Sequence, residues 1–171
     1  MQERKNLVTM KGNPVTLIGN EVKVGQTAPD FTAVATDLSP VSLNSFKGKK
    51  LVISAVPSLD TPVCDLETKR FNQEAAKLGP DVQVLTISMD LPFAQKRWCA
   101  AANASNVKTL SDYREWSFGK AYGVFIKEFG LLARSIFVVD ANGKVQYVQL
   151  VKEIATEPDY HSVLEAVKKI K

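Results

Sequence analysis

Apolar and polar positions alternate along the chain in a way that predicts short strands and amphipathic helices. Leu51–Val56 is a continuous apolar run ended by Pro57, which is typical of a buried central strand. Val82–Met89 predicts the next strand, and a helix is expected between them over about Pro62–Leu78. A strand, a helix and a strand in this order predict a parallel pair with a right-handed crossover.

Capping and turn residues mark the ends of these elements. Thr61 can cap the first helix, Pro62 suits its first position, and Gly79–Pro80 is a strong stop. Asp90 is expected to cap a second helix that continues to about Ala102.

Turn signals also predict two hairpins, one at each end of the strand–helix unit. Val8–Lys11 and Val15–Ile18 flank Gly12-Asn13-Pro14, while Ile136–Val139 and Val145–Val151 flank Asp140–Gly143. The remaining expectations are loops at Gly25–Asp30 and Asp37–Pro40, a short strand at Val41–Phe46, a short element from Thr109-Leu110, a short helix at Trp116–Tyr122 and an amphipathic helix at Pro158–Ile170.

This order of elements predicts an α/β protein with a mixed central sheet flanked by helices. It matches a thioredoxin-like fold with an N-terminal β-hairpin extension over residues 1–20. No repeat or linker interrupts the chain, so we expect a single domain over residues 1–171.

Composition narrows the classes of function. The chain is 45% hydrophobic and 23% charged, with a net charge of +4, and its basic residues are scattered rather than clustered. We therefore expect no nucleic-acid partner. The polar start of the chain does not resemble a signal peptide, and no apolar run approaches the roughly 18 residues of a membrane span. The expected location is the cytoplasm, with no membrane association.

The chain has two cysteines, Cys64 and Cys99, and one histidine, His161. These are too few ligands for a structural zinc site, and we expect no metal or cofactor. In a reducing compartment, disulfides are usually transient and catalytic. The two cysteines are therefore either a redox pair or two unrelated buried thiols.

Cys64 lies where the central strand ends and the next helix begins, an edge that active sites of α/β sheets favour. The free N–H groups and dipole of a helix N-terminus favour an anion such as a thiolate. Asp65 and Glu67 oppose a second negative charge, so a cation from elsewhere in the chain is wanted. The alternative is a core cysteine, because Cys64 shares a helix face with the apolar residues Phe71, Ala75 and Leu78.

Cys99 is expected on the second helix. On a helical projection, the most compact apolar cluster contains Ala94, Trp98 and Ala101. Cys99 points about 140° away from its centre, near Gln95 and Lys96, which is expected to be the less buried side. An accessible thiol suits a partner that must travel to another sulfur, and a harmless surface cysteine is the alternative.

The Pro57-x-x-x-Thr61-x-x-Cys64 pattern resembles the active-site motif of the peroxiredoxin family. Four stretches of the chain, the first of which overlaps this motif, resemble the bacterial thiol peroxidase branch of that family. They follow one another in the same order as in that branch. These are Ser58–Cys64, Asp90–Cys99, Leu132–Arg134 and Glu157–Tyr160.

The resemblance implies a role for each of five residues. Cys64 matches the cysteine that attacks the peroxide, and Cys99 matches the resolving cysteine that then forms an intramolecular disulfide. Thr61 matches a hydroxyl that binds thiolate and substrate, Arg134 the missing cation, and Pro57 a residue that shields the pocket. Without the resemblance, these last three positions suggest only a helix cap, a solvated arginine and a strand terminator.

The resemblance further implies a hydroperoxide substrate, thioredoxin as reductant, antioxidant function and a homodimer. Two other classes stay open: a disulfide carrier and a sensor with a regulatory disulfide. A carrier usually has Cys-x-x-Cys, whereas Thr61 and Glu67 occupy the positions three residues from Cys64. Five aromatic residues cluster before Arg134: Trp116, Phe118, Tyr122, Phe125 and Phe129. Three roles are open for them, namely part of the core, an apolar collar that favours alkyl hydroperoxides, or part of a dimer surface.

Overall fold

Seven of the eleven strands form a mixed sheet through the centre of the computed structural model, which describes residues 1–171. The strands are β1 (Glu3–Met10), β2 (Asn13–Ile18), β3 (Thr32–Val34), β4 (Pro40–Ser42), β5 (Lys50–Ala55), β6 (Val82–Ser88), β7 (Val107–Ser111), β8 (Phe125–Ile126), β9 (Leu131–Leu132), β10 (Ser135–Val139) and β11 (Val145–Leu150). The helices are α1 (Pro62–Ala75), α2 (Pro92–Ala102), α3 (Ser117–Ala121) and α4 (Tyr160–Lys168).

The central sheet has the order β11-β10-β5-β6-β7-β3-β4. β5, β6 and β7 are parallel, whereas β10 runs antiparallel to β5 and β11 antiparallel to β10. The apolar run of β5 is buried on both faces, as expected for a central strand. The predicted α/β fold with a mixed sheet is confirmed, including the late hairpin.

Two hydrophobic clusters hold the layers together. One contains Phe71 of α1 and Val163 of α4, packed on Val52 of the central strand. The other contains Phe118 of α3, packed on Ile53 from the opposite side of that strand. Helices therefore cover both faces, because adjacent residues of a strand point to opposite sides of the sheet.

The predicted N-terminal hairpin is present and belongs to a second sheet of order β1-β2-β8-β9. Backbone hydrogen bonds join it to the segment after β11. The Ile154 N–H donates to the Thr9 carbonyl at 2.9 Å, and the Thr9 N–H donates to the Lys152 carbonyl at 2.7 Å. The Glu153 carboxylate accepts hydrogen bonds from the backbone of the β1–β2 turn, at Lys11 and Gly12.

Three local predictions were wrong. The strand expected over Val41–Phe46 is a short β4 followed by a 3-10 helix over Leu43–Phe46, which Ser42 starts with a capping box. α1 ends at Ala75, before the stop signal. Asp90 does not cap α2, whose N-cap is Leu91, because the Asp90 carboxylate is engaged elsewhere.

The predicted orientation of α2 was wrong in part, although Lys96 is exposed as expected. Gln95, assigned to the open side, is fully buried, whereas Ala101, assigned to the apolar cluster, is exposed. The buried Gln95 amide donates to Ser88 Oγ at 3.0 Å and to the Leu110 carbonyl at 2.9 Å. Hydrogen bonds thus hold a polar residue inside, and Cys99, on the same side of α2, is half-buried rather than open.

None of the helices is both long and apolar enough to cross a bilayer.

Candidate active site

Cys64 is the third residue of α1, in the turn where backbone N–H groups lack helical partners. Thr61 has the extended backbone of an N-cap, and Pro62 occupies the first helical position as predicted. The Cys64 side chain is 0% exposed and packs against Val56 and Leu59. The expectation of a core cysteine is therefore met, but burial is only part of its environment.

Arg134 brings a cation to this buried sulfur from 70 positions away in the sequence. Its Nη2 donates to Cys64 Sγ at 3.2 Å, and its Nε donates to the Ile154 carbonyl at 2.8 Å. The side chain is 2% exposed, which excludes the solvated arginine considered above. Burial alone lowers the pKa of Arg134, but Glu67 and Cys64 outweigh it and raise the pKa above its ordinary value.

Glu67 is the second partner of that guanidinium, a role that its negative charge alone did not predict. It lies one helical turn after Cys64, is completely buried, and accepts a hydrogen bond from Arg134 Nη1. Ser54 Oγ donates to its other oxygen at 2.8 Å. Burial raises the pKa of Glu67, whereas Arg134 and Ser54 oppose that rise. Glu67 therefore orients Arg134 rather than only repelling the thiolate.

Asp65, the other acid expected to oppose a thiolate, is also paired. Its carboxylate accepts from Lys69 Nζ at 2.8 Å and from Trp98 Nε1 at 2.9 Å. Partial burial raises the pKa of Asp65, but the hydrogen bonds from Lys69 and Trp98 outweigh it, so the pKa lies below its ordinary value. The indole of Trp98 also packs against the apolar cluster around Cys64.

Neither of the two other predicted site residues of this loop forms a hydrogen bond to the Cys64 sulfur. Pro57 is buried two residues after the end of β5. Thr61 is exposed, and its hydroxyl donates to the Ser58 carbonyl at 2.8 Å rather than to the thiol.

Asp90 joins this loop to the start of α2, a role that sequence reasoning missed. Its carboxylate accepts from Ser58 Oγ at 2.7 Å, from the Leu59 N–H at 2.8 Å and from Ser88 Oγ at 2.7 Å. The sequence signal that could have indicated this role is the short polar residues at the ends of β5 and β6. These two strands are parallel neighbours, so their carboxyl ends meet at one edge of the sheet.

Cys99 does not contact Cys64, and both thiols are free. Its sulfur lies 3.5 Å from Thr109 Oγ1 of β7. The structure thus brings Cys64 and Arg134 together and leaves Cys99 in a separate environment on α2.

The aromatic group divides between core and surface. Phe118 and Tyr122 stack at 4.4 Å between ring centroids inside the main core, and Phe125 is also buried. Trp116 and Phe129 are exposed. None of the five packs in the apolar cluster around Cys64.

Comparison with known proteins agrees with the fold. The family model described as Redoxin matches residues 23–164. The chain is 60% identical over 161 residues to a thiol peroxidase of Halalkalibacterium halodurans, covering 94% of this chain and 96% of the relative. It is 58% identical to a thiol peroxidase of Bacillus subtilis, with the same coverage of both chains. The crystal structure of a peroxiredoxin-like protein from Aquifex aeolicus superimposes with a TM-score of 0.90, at 48% identity and 99% coverage of each chain.

The fold, the match to the Redoxin family model and the superposition on the peroxiredoxin-like structure define a thiol-dependent enzyme of the redoxin class. Within that class the chain belongs to the thiol peroxidase family of peroxiredoxins. The resemblance in the sequence motifs is thereby confirmed.

Proposed function

We propose that the protein reduces hydroperoxides with Cys64 as the attacking thiolate. The contact that carries this proposal is the hydrogen bond of 3.2 Å from Arg134 Nη2 to Cys64 Sγ, formed in the first turn of α1. A permanent cation and unpaired helical N–H groups beside one sulfur stabilise a thiolate, which is the nucleophilic form of cysteine.

In the first step, the Cys64 sulfur attacks one peroxide oxygen and the O–O bond breaks. The second oxygen leaves with the bonding electrons, takes a proton, and departs as water or an alcohol. Sulfur is oxidised to a sulfenic acid and the peroxide is reduced. The guanidinium of Arg134, held by Glu67, is positioned to stabilise charge on the reacting oxygens.

In the second step, the Cys99 thiolate attacks the sulfenic sulfur of Cys64. The S–S bond forms, the S–O bond breaks, and the hydroxyl leaves as water after taking a proton. A disulfide requires the Cα atoms to approach within about 7 Å. Because Cys99 now contacts Thr109, one helix end has to loosen. The dithiol of thioredoxin then reduces the disulfide and restores both thiols.

Substrate reaches Cys64 through the first turn of α1. The sulfur itself is fully buried, but Thr61 and Pro62 beside it are exposed and Val63 is half-buried. A small opening of this turn admits the peroxide and frees the Thr61 hydroxyl from Ser58 to bind substrate. Pro57, at the base of the loop, shields the pocket from water.

The proposal is tested by following hydroperoxide loss with thioredoxin, thioredoxin reductase and NADPH. Hydrogen peroxide and a bulky organic hydroperoxide are compared, each also in a single turnover without reductant. We expect catalytic consumption and a fast second-order oxidation of Cys64. A protein that exchanges disulfides with thioredoxin but leaves hydroperoxide intact is a disulfide carrier and contradicts the proposal.

The same proposal includes one domain over residues 1–171, a homodimer and a cytoplasmic location. Several large apolar side chains are exposed in the monomer, and they supply surface for self-association: Leu66, Leu91, Phe93, Trp116 and Phe129. A reducing compartment suits a disulfide that forms only transiently. Light scattering after size-exclusion chromatography tests the dimer.

A further inference from the structure

We propose that the hydrogen bond between Trp98 and Asp65 is a latch that sets the rate at which Cys99 reaches oxidised Cys64. This inference rests on the proposed function, because it concerns the second step of that cycle. Trp98 and Asp65 are positioning residues for this step, since neither reacts.

The latch joins the two helices that carry the cysteines. Trp98 Nε1 of α2 donates to Asp65 Oδ1 of α1 at 2.9 Å, and Asp65 directly follows Cys64. The indole also packs against Val56, Leu59 and Cys64. One side chain therefore holds the second half of α2 against the first turn of α1 and covers the reactive sulfur.

Trp98 lies where the resolving sulfur has to arrive. Successive residues of an α-helix point about 100° apart, so Trp98 and Cys99 cannot both face Cys64. In this structure Trp98 faces it, while Cys99 Sγ lies against Thr109 Oγ1 at 3.5 Å. The indole has to leave, and the latch has to break, before a bond between the sulfurs can form.

α2 divides into a fixed half and a releasable half. In the fixed half, Pro92 and Gln95 are buried, and Gln95 is bonded to Ser88 and Leu110. In the half that carries the latch, only the half-buried Trp98 and Ala102 pack on the large cluster below it. Four residues of this half are exposed: Lys96, Arg97, Ala100 and Ala101. A segment with few buried contacts opens at low free-energy cost. The hinge is thus between Gln95 and Trp98.

The strength of the latch sets the lifetime of the sulfenic acid. Hydrogen bonds to a carboxylate are among the stronger ones in proteins, and removing one is expected to speed release of the helix end about tenfold. Faster release shortens the period in which a second peroxide can oxidise the sulfenic acid irreversibly to a sulfinic acid.

The test measures disulfide formation separately from oxidation. Trp98→Phe removes the donor but keeps an aromatic ring, and Asp65→Ala removes the acceptor. Lys69→Gln is the matched control, because Lys69 contacts the other Asp65 oxygen and lies outside the latch. Each protein is mixed with hydrogen peroxide, quenched at set times, and analysed by mass spectrometry for thiol, sulfenic acid and disulfide.

We expect the peroxide-independent rate of disulfide formation to rise about tenfold in both variants and to stay within about twofold in the control. The double variant is expected to be no faster than either single variant, because one interaction is lost only once. Excess peroxide should also yield less sulfinic acid.

An unchanged or slower rate in either variant, or additive effects in the double variant, overturns the latch. In those cases Cys64 still becomes a sulfenic acid, so the proposed function survives. Failure of the parent protein to form any sulfenic acid overturns the proposed function itself.

Discussion

Glu67 and Arg134 form a buried ion pair in which the guanidinium spans a carboxylate and the Cys64 sulfur. Two polar groups hold this pair from outside, since Ser54 donates to Glu67 and the Ile154 carbonyl accepts from Arg134. The direction of the guanidinium is thus fixed by three buried protein groups: the Glu67 carboxylate, the Cys64 sulfur and the Ile154 carbonyl.

Arg134→Met is expected to slow oxidation of Cys64 by orders of magnitude, because the only cation that contacts the sulfur is lost. The variant also leaves Glu67 as an uncompensated buried charge, which is expected to cost about 3–5 kcal/mol of unfolding free energy. Stopped-flow oxidation and urea denaturation measure the two effects. An unchanged oxidation rate would remove Arg134 from the mechanism.

The double variant Arg134→Met with Glu67→Gln separates the two effects. Removing both charges should restore most of the unfolding free energy but not the oxidation rate. If the double variant is as unstable as the single one, the loss comes from packing around Arg134 rather than from the unpaired carboxylate.

The two cysteines are expected to fail at different steps. Cys64→Ser should abolish turnover, because the reaction needs a thiolate nucleophile and a serine hydroxyl cannot replace it. Cys99→Ser should still be oxidised once by a stoichiometric amount of hydroperoxide but should not be recycled by thioredoxin. Sulfenic acid trapping and the coupled NADPH assay measure these outcomes; full recycling of Cys99→Ser would assign resolution to another thiol.

Disulfide formation is expected to loosen α1 and α2 unevenly. In the oxidised protein, amide hydrogen exchange should rise around Cys64 and in the half of α2 after Gln95. The half of α2 before Gln95 should stay protected, since Gln95 remains bonded to the sheet. Mass spectrometry of reduced and oxidised samples gives this comparison, and equal exchange around Cys64 and Cys99 in both states would exclude such a movement.

Asp112 is expected to make stability fall as pH rises through the weakly acidic range. It accepts hydrogen bonds from the Phe118 and Gly119 N–H groups at 2.9 and 2.8 Å. Burial raises its pKa from 3.8 to about 6 despite these hydrogen bonds from the backbone. Between these two values the folded state binds more protons than the unfolded state, so the free energy of unfolding decreases with pH.

Asp112→Asn should lack this contribution, which amounts to about 3 kcal/mol across the interval. Urea denaturation of parent and variant between pH 4 and about 7 measures it as the change in their stability difference. A difference between the two proteins that is independent of pH would show that Asp112 has an ordinary pKa.

The central unit of the fold was predictable because its signals are local. The apolar run of β5, the Thr61–Pro62 start of α1 and the run of β6 each lie within a few residues. They place Cys64 at a helix N-terminus without knowledge of the rest. In contrast, β8 and β9 have only two residues each, too few to show a periodic pattern.

Contacts between distant residues were not predictable from the pattern. Glu67 was interpreted by its charge alone, because nothing local shows that Arg134 pairs with it. Gln95 was assigned to the open side because periodicity counts an amide as polar, whereas hydrogen bonds to Ser88 and Leu110 allow its burial. Asp90 was similarly interpreted as a cap, although its partners include Ser58 of the Cys64 loop.

The docking of β1 onto the segment after β11 has a practical consequence for handling this enzyme. The carbonyl that fixes Arg134 belongs to Ile154, and the Ile154 N–H is held by Thr9 of β1. The first strand is therefore part of the scaffold that aims the guanidinium. An affinity tag or a trimmed N-terminus that disturbs β1 should lower the peroxidase rate before it lowers the yield of folded protein. Fusions are better placed after α4, at the opposite end of the chain.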